Sequence, residues 1–243
     1  MIRVRGLSKS FDGRPVLKGV SLDMGECETV VILGPSGQGK TVLIKTMIRL
    51  LEPDSGQVFY QDRDILTLSK REFRRVQENM AFVFQANALF DFLNVRDNLS
   101  LYLQMHKKMS PEEIATRVQA AIQFVGLDHT SLEKFPEELS GGMQKRVAIA
   151  RAILQEPRVI FYDEPTVGLD EGNVEKVIDL IELLKKQVCA TSVIVTHDIS
   201  LMQRVADRVA LLRHGEVVFT GTKEEVSADM LSRLYSTGVD DEH

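Results

Sequence analysis

The chain has 243 residues, 44% hydrophobic and 27% charged, which suits one large α/β domain or two small ones. Its net charge of −5 argues against a nucleic-acid module with a basic face, and no run of about eighteen uncharged apolar residues exists to cross a bilayer. Cys27 and Cys189 stand far apart in no metal spacing and read as buried free thiols in a reducing compartment.

The opening third alternates strand-like runs with turns, at residues 2–6, 16–24 and 29–33. The N-terminal residues read as strand and lack the apolar core of a signal peptide. The run Thr29-Val30-Val31-Ile32-Leu33 is apolar after its first residue, the pattern of a strand buried on both faces. It leads into Gly34-Pro35-Ser36-Gly37-Gln38-Gly39-Lys40-Thr41, and Val42 continues a helix predicted over residues 41–51 that Glu52-Pro53-Asp54-Ser55-Gly56 stops. The middle third reads as helical: residues 94–106 have apolar positions at helical spacing, Ser110-Pro111-Glu112-Glu113 is a strong helix start, and Ser140 caps a helix over 141–155. The last third returns to a βαβ rhythm, with strands at 159–162 and 192–195 and a crossover helix at 174–186. Residues 208–220 read as a hairpin turning at Arg213-His214-Gly215, and Asp240-Asp241-Glu242 as a frayed acidic end.

The Gly-rich segment has the spacing Gly34-x-x-x-x-Gly39-Lys40-Thr41, between a strand and a helix. Successive backbone N–H groups can curl around phosphate oxygens there because side chains do not obstruct the approach. Lys40 is placed to reach β- and γ-phosphates, and the Thr41 hydroxyl to enter a Mg²⁺ shell. A second element, Val159-Ile160-Phe161-Tyr162-Asp163-Glu164, ends an apolar strand with two carboxylates, where strand C-termini line a ligand crevice. Asp163 is the expected Mg²⁺ partner and Glu164 the group that polarises the attacking water. Leu139-Ser140-Gly141-Gly142-Met143-Gln144-Lys145-Arg146 reads as a second anion cradle at a helix N-terminus, or more plainly as a Ser-capped helix.

That segment resembles the signature of ATP-binding-cassette (ABC) nucleotide-binding domains, and the resemblance covers nearly the whole chain. It implies a P-loop NTPase α/β fold: a RecA-like parallel-sheet core with an N-terminal antiparallel β subdomain (residues 1–85 and 155–243 together) and an inserted helical subdomain (86–154). It also implies ATP and Mg²⁺ as ligands and a head-to-tail homodimer in which Ser140, Gly141 and Gly142 touch the partner's nucleotide. By the same resemblance Phe11 stacks on adenine, Gln85 senses Mg²⁺ and the attacking water, Asp170 lies in the loop contacting the opposite subunit, and His197 holds the γ-phosphate. Met143 and Glu171 depart from the family pattern, where glutamine and proline are usual. Neither departure removes a group that hydrolysis needs.

Residues 85–93, with Ala88-Leu89-Phe90-Asp91-Phe92-Leu93, are apolar enough to receive a membrane permease subunit; ordinary packing inside the helical insertion is the other reading. Phe84 through Asp91 together with Leu139 through Val147 resemble the ATPases of MCE-associated lipid transporters, the maintenance-of-lipid-asymmetry (Mla) type. The expectation is a peripheral ATPase on the cytoplasmic face of the inner membrane, energising phospholipid transport with a permease and an MCE-domain protein. No nucleic acid and no long regulatory extension are expected. The alternatives are an importer ATPase for another small solute, a soluble ABC-type ATPase acting on a ribosome or DNA, or a small-molecule kinase.

Overall fold

The chain opens with a hairpin: β1 (Ile2–Phe11) reverses through Asp12 and Gly13, both at positive φ, into β2 (Arg14–Met24). Ile2, Val4 and Leu7 on one strand and Leu17, Val20, Leu22 and Met24 on the other are buried, the one-sided pattern of an antiparallel pair covering a core. Next come β3 (Thr29–Leu33), buried at every position, and α1 (Lys40–Met47). After them lie β4 (Ser55–Tyr60), β5 (Arg63–Asp64) and α2 (Lys70–Gln77). The middle of the chain gives β6 (Met80–Val83), α3 (Val95–His106), α4 (Pro111–Phe124), α5 (Gly141–Ile153), β7 (Val159–Asp163) and α6 (Glu171–Gln187). It closes with β8 (Thr191–Thr196), α7 (Ile199–Val205), β9 (Arg208–Arg213), β10 (Glu216–Thr222) and α8 (Ala228–Tyr235).

This computed structural model describes residues 1–236, in two units: Met1–Val76 with residues 189–236, and Gln77–Val188. The predicted acidic end at Asp240-Asp241-Glu242 lies outside the described residues. In the first unit an antiparallel sheet runs β2-β1-β4-β5. Beside it in sequence, β3 pairs in parallel with both β8 and β9, and β10 closes antiparallel on β9. The predicted hairpin at 208–220 is present and turns through His214 and Gly215, both at positive φ. In the second unit β6 and β7 pair in parallel, with Val83 opposite Tyr162, and the long connection between them carries α3, α4 and α5, as a parallel crossover requires.

The helix starts follow their caps. Asn94 accepts from the Asp97 N–H at 2.8 Å. Ser110 and Glu113 form a reciprocal box, at 3.2 Å and 2.7 Å, satisfying two otherwise orphaned donors. Ser140 and Asp170 accept from Met143 and Asn173.

Three expectations need correction. The first helix stops at Met47 and not at Leu51, because Arg49 takes a left-handed φ of 56° and the N–H groups of Leu50 and Leu51 both return to the Lys45 carbonyl. The first two strands run longer than predicted, since exposed polar residues of β1 stay paired with β2. Cys27 and Cys189 are neither buried nor free: they are exposed, 4.8 Å apart at Cα, and joined as a disulfide. Parallel pairing sets Thr29 opposite Ser192, so the residues just before β3 and β8 arrive side by side.

Candidate functional site

The Gly-rich loop lies in the first unit, leaving the C-terminal end of β3. The Gly34 N–H donates to the Thr196 carbonyl at 3.2 Å, so the loop begins beside the end of β8. A Cβ at Gly34 would collide with the Leu212 carbonyl, and one at Gly39 would sit 2.9 Å from the Val16 carbonyl. Gly39 also holds φ at 94° and Gly37 at 80°, a region that side chains disfavour. These glycines therefore allow a curled backbone pressed against its own unit. Pro35 is partly buried and Ser36 exposed on the loop's outer side. Gln38 accepts through Oε1 from the His214 N–H, which ties the loop to the β9–β10 turn.

Lys40 is 4% exposed, and its ammonium donates to the Gly34 and Pro35 carbonyls at 2.7 and 2.8 Å. The charge is thus held inside the curl of the loop, not in solvent. No acid occupies the first turn of α1, so none of the helix's own side chains there offsets its positive end. Thr41 and Val42 are half-buried in this turn. A curled glycine-rich backbone, a buried ammonium and a helix N-terminus suit a polyphosphate.

His197 directly follows β8 and is exposed, with its carbonyl accepting from the Tyr235 hydroxyl at 2.9 Å. Because Leu33 is opposite Thr196 in the parallel register, the loop and His197 leave adjacent strand ends. Phe11 ends β1 with its ring 42% exposed and the Lys9 ammonium 5.5 Å from the ring centre.

The second unit repeats this construction. Gln85 lies just past β6, and Asp163 ends the neighbouring parallel strand β7 with Glu164 just beyond it. Asp163 and Glu164 are buried, at 3% and 7% exposure. Glu164 takes a left-handed φ of 46°, an uncommon state for a non-glycine residue that marks a turn fixed by its surroundings. Gln85 is exposed. The Thr41 hydroxyl, the Gln85 amide oxygen and the Asp163 carboxylate are each hard oxygen donors of the kind Mg²⁺ prefers. Among the described residues no group of three or more His, Cys, Asp or Glu side chains is placed to hold a metal.

The Ser-Gly-Gly cradle opens α5. Ser140 and Gly141 are exposed and Gly142 is buried. A Cβ at Gly142 would collide with the Asn173 side chain. Asn173 in turn donates its side-chain N–H to Asp170 at 2.6 Å, and these bonds hold the Asp170 carboxyl below the usual carboxylate range. The structure thus joins Gly142 and Asp170 through Asn173, a link that motif reading did not supply.

Lys145 was also missed. It is 1% exposed and donates to the Phe84 and Gln85 carbonyls, each at 2.9 Å. Burial pushes its ammonium down to about 8, against the pull of the nearby Asp163 carboxylate. The signal was present: positions 142, 145, 148–149 and 152 fall on one buried helical stripe, and a lysine on such a stripe needs a partner. Arg151, pushed down by burial, donates to the Ala88 and Asn87 carbonyls at 2.7 and 3.0 Å.

The segment expected to meet a partner is held by Asn98, which is buried. It accepts from the Phe90 N–H at 2.8 Å and donates to the Phe90 and Leu93 carbonyls. Phe90 and Phe92 remain 42% and 77% exposed, their rings 5.7 Å apart.

Comparison with known proteins places the chain among relatives. The model of the ABC transporter family matches residues 17–167. The chain is 38% identical to a probable ribonucleotide transport ATP-binding protein of Mycobacterium leprae, over 92% of this chain and 64% of that protein. It is 36% identical to a phosphonates import ATP-binding protein of Wolinella succinogenes, over 97% and 88% of the two lengths. Among solved structures, a dimeric ATP-binding cassette in a post-hydrolysis state, bound to ADP and Pi, superposes with a TM-score of 0.84 at 32% identity, covering 91% of this chain and 98% of that one. The chain spans about two thirds or less of the length of several curated relatives that it matches.

Proposed function

We propose a role for this chain from its membership: it belongs to the ABC transporter family, as an ATP-binding subunit. It binds ATP and hydrolyses it to ADP and phosphate, and two copies close head to tail around nucleotide. The observation that carries this is the Gly34–Thr41 curl with the Lys40 ammonium held inside it. The likeness to a dimeric cassette bound to ADP and Pi supports it.

In this reading the backbone N–H groups of residues 34–42 and the Lys40 ammonium hold the β- and γ-phosphates, and Phe11 offers its exposed face to adenine. Thr41, Gln85 and Asp163 would hold Mg²⁺, which supplies charge neutralisation on the phosphates. Glu164 orients and polarises the attacking water, and His197 stabilises the γ-phosphate. Ser140, Gly141 and Gly142 serve the nucleotide bound to a second copy, with Asp170 at the dimer contact. We assign the whole chain to a single ATPase domain, with residues 86–154 as its helical subdomain.

The work done by the cycle belongs to a membrane partner. No helix among the described residues is long and apolar enough to cross a membrane, and ATP shifts a conformational equilibrium only through differential affinity. The exposed Phe90–Phe92 pair supports a permease docking at residues 85–93 on the cytoplasmic face of the inner membrane. The resemblance of residues 84–91 and 139–147 to MCE-associated ATPases supports phospholipid as cargo and an MCE-domain protein as partner. A second reading, an importer ATPase for another solute, is favoured by the near full-length match to a phosphonates import protein.

Purification of the intact complex tests both. A multispanning permease with bound phospholipid supports the first reading, and a permease with a periplasmic small-solute receptor supports the second. Recovery of soluble partners alone overturns the transporter assignment. Hydrolysis strongly stimulated by RNA or DNA would point to an ABC-type ATPase on a ribosome or on DNA.

A further inference from the structure

We propose that Lys145 and Arg151 are positioning residues for Gln85, clamping the turn that carries it to helix α5. The inference rests on the reading of Gln85 as a participant in hydrolysis. Its basis lies within the second unit. Lys145 donates to the Phe84 and Gln85 carbonyls and Arg151 to those of Asn87 and Ala88. The remaining carbonyl, of Ala86, accepts from the Ala88 N–H at 2.7 Å. Asn87 also donates to Gln144 at 3.3 Å. Every backbone acceptor from Phe84 to Ala88 therefore has a donor, and α5 supplies donors to four of the five.

The turn has a shape it would not keep alone. Asn87 and Ala88 sit at φ of 62° and 50°. Left-handed backbone is disfavoured for residues with a Cβ, and alanine has no polar side chain to offset it locally. The two residues in this state are those whose carbonyls accept from the Arg151 guanidinium. A planar fork with fixed donor directions specifies such a turn better than a single point charge. With the backbone drawn toward α5, the Gln85 side chain is left exposed, where it can act.

A buried ammonium is costly unless several acceptors meet it. Lys145 meets two, and nothing in the motif reading gives it contact with nucleotide. Its role is to fix where Gln85 stands relative to Ser140, which begins the same helix. The clamp thereby makes the Gln85 turn and the Ser-Gly-Gly cradle parts of one body.

Steady-state ATP hydrolysis by the full chain tests this with Gln85→Ala, Lys145→Met, Lys145→Gln and the double variant Gln85→Ala/Lys145→Met. A misplaced group costs roughly ten- to a hundredfold in rate, so Lys145→Met lowers kcat by about that factor. KM for ATP moves less than about threefold, because the lost interaction is not a ground-state contact. Lys145→Gln, which keeps two N–H donors, recovers part of the rate. The double variant is no slower than Gln85→Ala alone, since both changes act through one group. Wild-type kcat in Lys145→Met beside an impaired Gln85→Ala overturns the clamp, as does a multiplicative loss in the double variant. A wild-type rate in Gln85→Ala instead overturns the reading of Gln85. Should Lys145→Met not fold, Arg151→Met is followed by hydrogen exchange: faster exchange confined to residues 84–91 supports the clamp, and exchange unchanged there overturns it.

Discussion

Replacing Lys40 with alanine removes the ammonium that the Gly-rich loop encloses, and its effect can be worked out before measurement. Lys40 is 4% exposed with carbonyl partners at 2.7 and 2.8 Å, so its substitution acts twice. Two loop carbonyls lose a charged donor, which lowers stability without ligand by ~1–3 kcal/mol. The nucleotide loses a charge-assisted phosphate contact of ~1.5–3 kcal/mol, a rise in Kd of about ten- to over a hundredfold. At an ATP concentration well above the wild-type Kd, ligand-linked stabilisation then falls by ~2 kcal/mol. For a chain of this size each kcal/mol moves Tm by ~2–4 °C, so the Tm increase caused by ATP shrinks by ~4–8 °C. The assay is thermal unfolding with and without Mg-ATP, in wild type and variant. The quantity read is the ATP-induced shift, because the ligand-free Tm falls for the first reason alone. An equal shift in the two proteins would refute the placement of phosphate at Lys40.

Other substitutions probe separate parts of the same reading. Glu164→Gln keeps ATP binding and removes the group that polarises water, so an ATP-bound dimer accumulates on gel filtration; a nucleotide-bound monomer throughout contradicts this. Gly34→Ala drives a methyl into the Leu212 carbonyl, and overpacking of this kind costs ~1–3 kcal/mol, measured as lower stability together with weaker ATP binding. Phe11→Ala weakens ATP by ~1 kcal/mol through lost stacking, while the affinity for inorganic triphosphate, which has no base, stays unchanged. Ser110→Ala removes half of the capping box and lowers unfolding free energy by ~1 kcal/mol with no effect on nucleotide affinity.

Legibility in the sequence followed how local each cause was. The apolar run of β3 and the glycine spacing after it could be read because strand burial and loop curl are set by consecutive residues. The α4 start could be read because Ser110, Pro111 and Glu113 act within one turn. Relations across the chain could not. The Cys27–Cys189 pair spans 162 positions and depends on β3 lying next to β8. Asn173 looks like an ordinary residue of an N-terminal helical turn until Gly142 is found against it. Lys145 stands in a motif read for its glycines; its place on the stripe with residues 142, 148–149 and 152 signals burial, but its partners, the Phe84 and Gln85 carbonyls, lie some sixty positions away. The early end of α1 came from Arg49 accepting a left-handed backbone, which no residue type at that position announces.

Helix α5 has a mechanical consequence. Ser140 stands eleven residues before Arg151, about 16 Å along a helix. The grip on the Phe84–Ala88 turn lies at Lys145 and Arg151, and Gly142 packs on Asn173, so the helix carries any tilt to the Ser-Gly-Gly cradle at its far end. A tilt of roughly 5° about Arg151 displaces Ser140 by about 1.4 Å over that length, enough to break a hydrogen bond. A push on the Phe84–Ala88 turn would therefore reach the cradle as a shift of that size, and Asn173, packed on Gly142, would move with it.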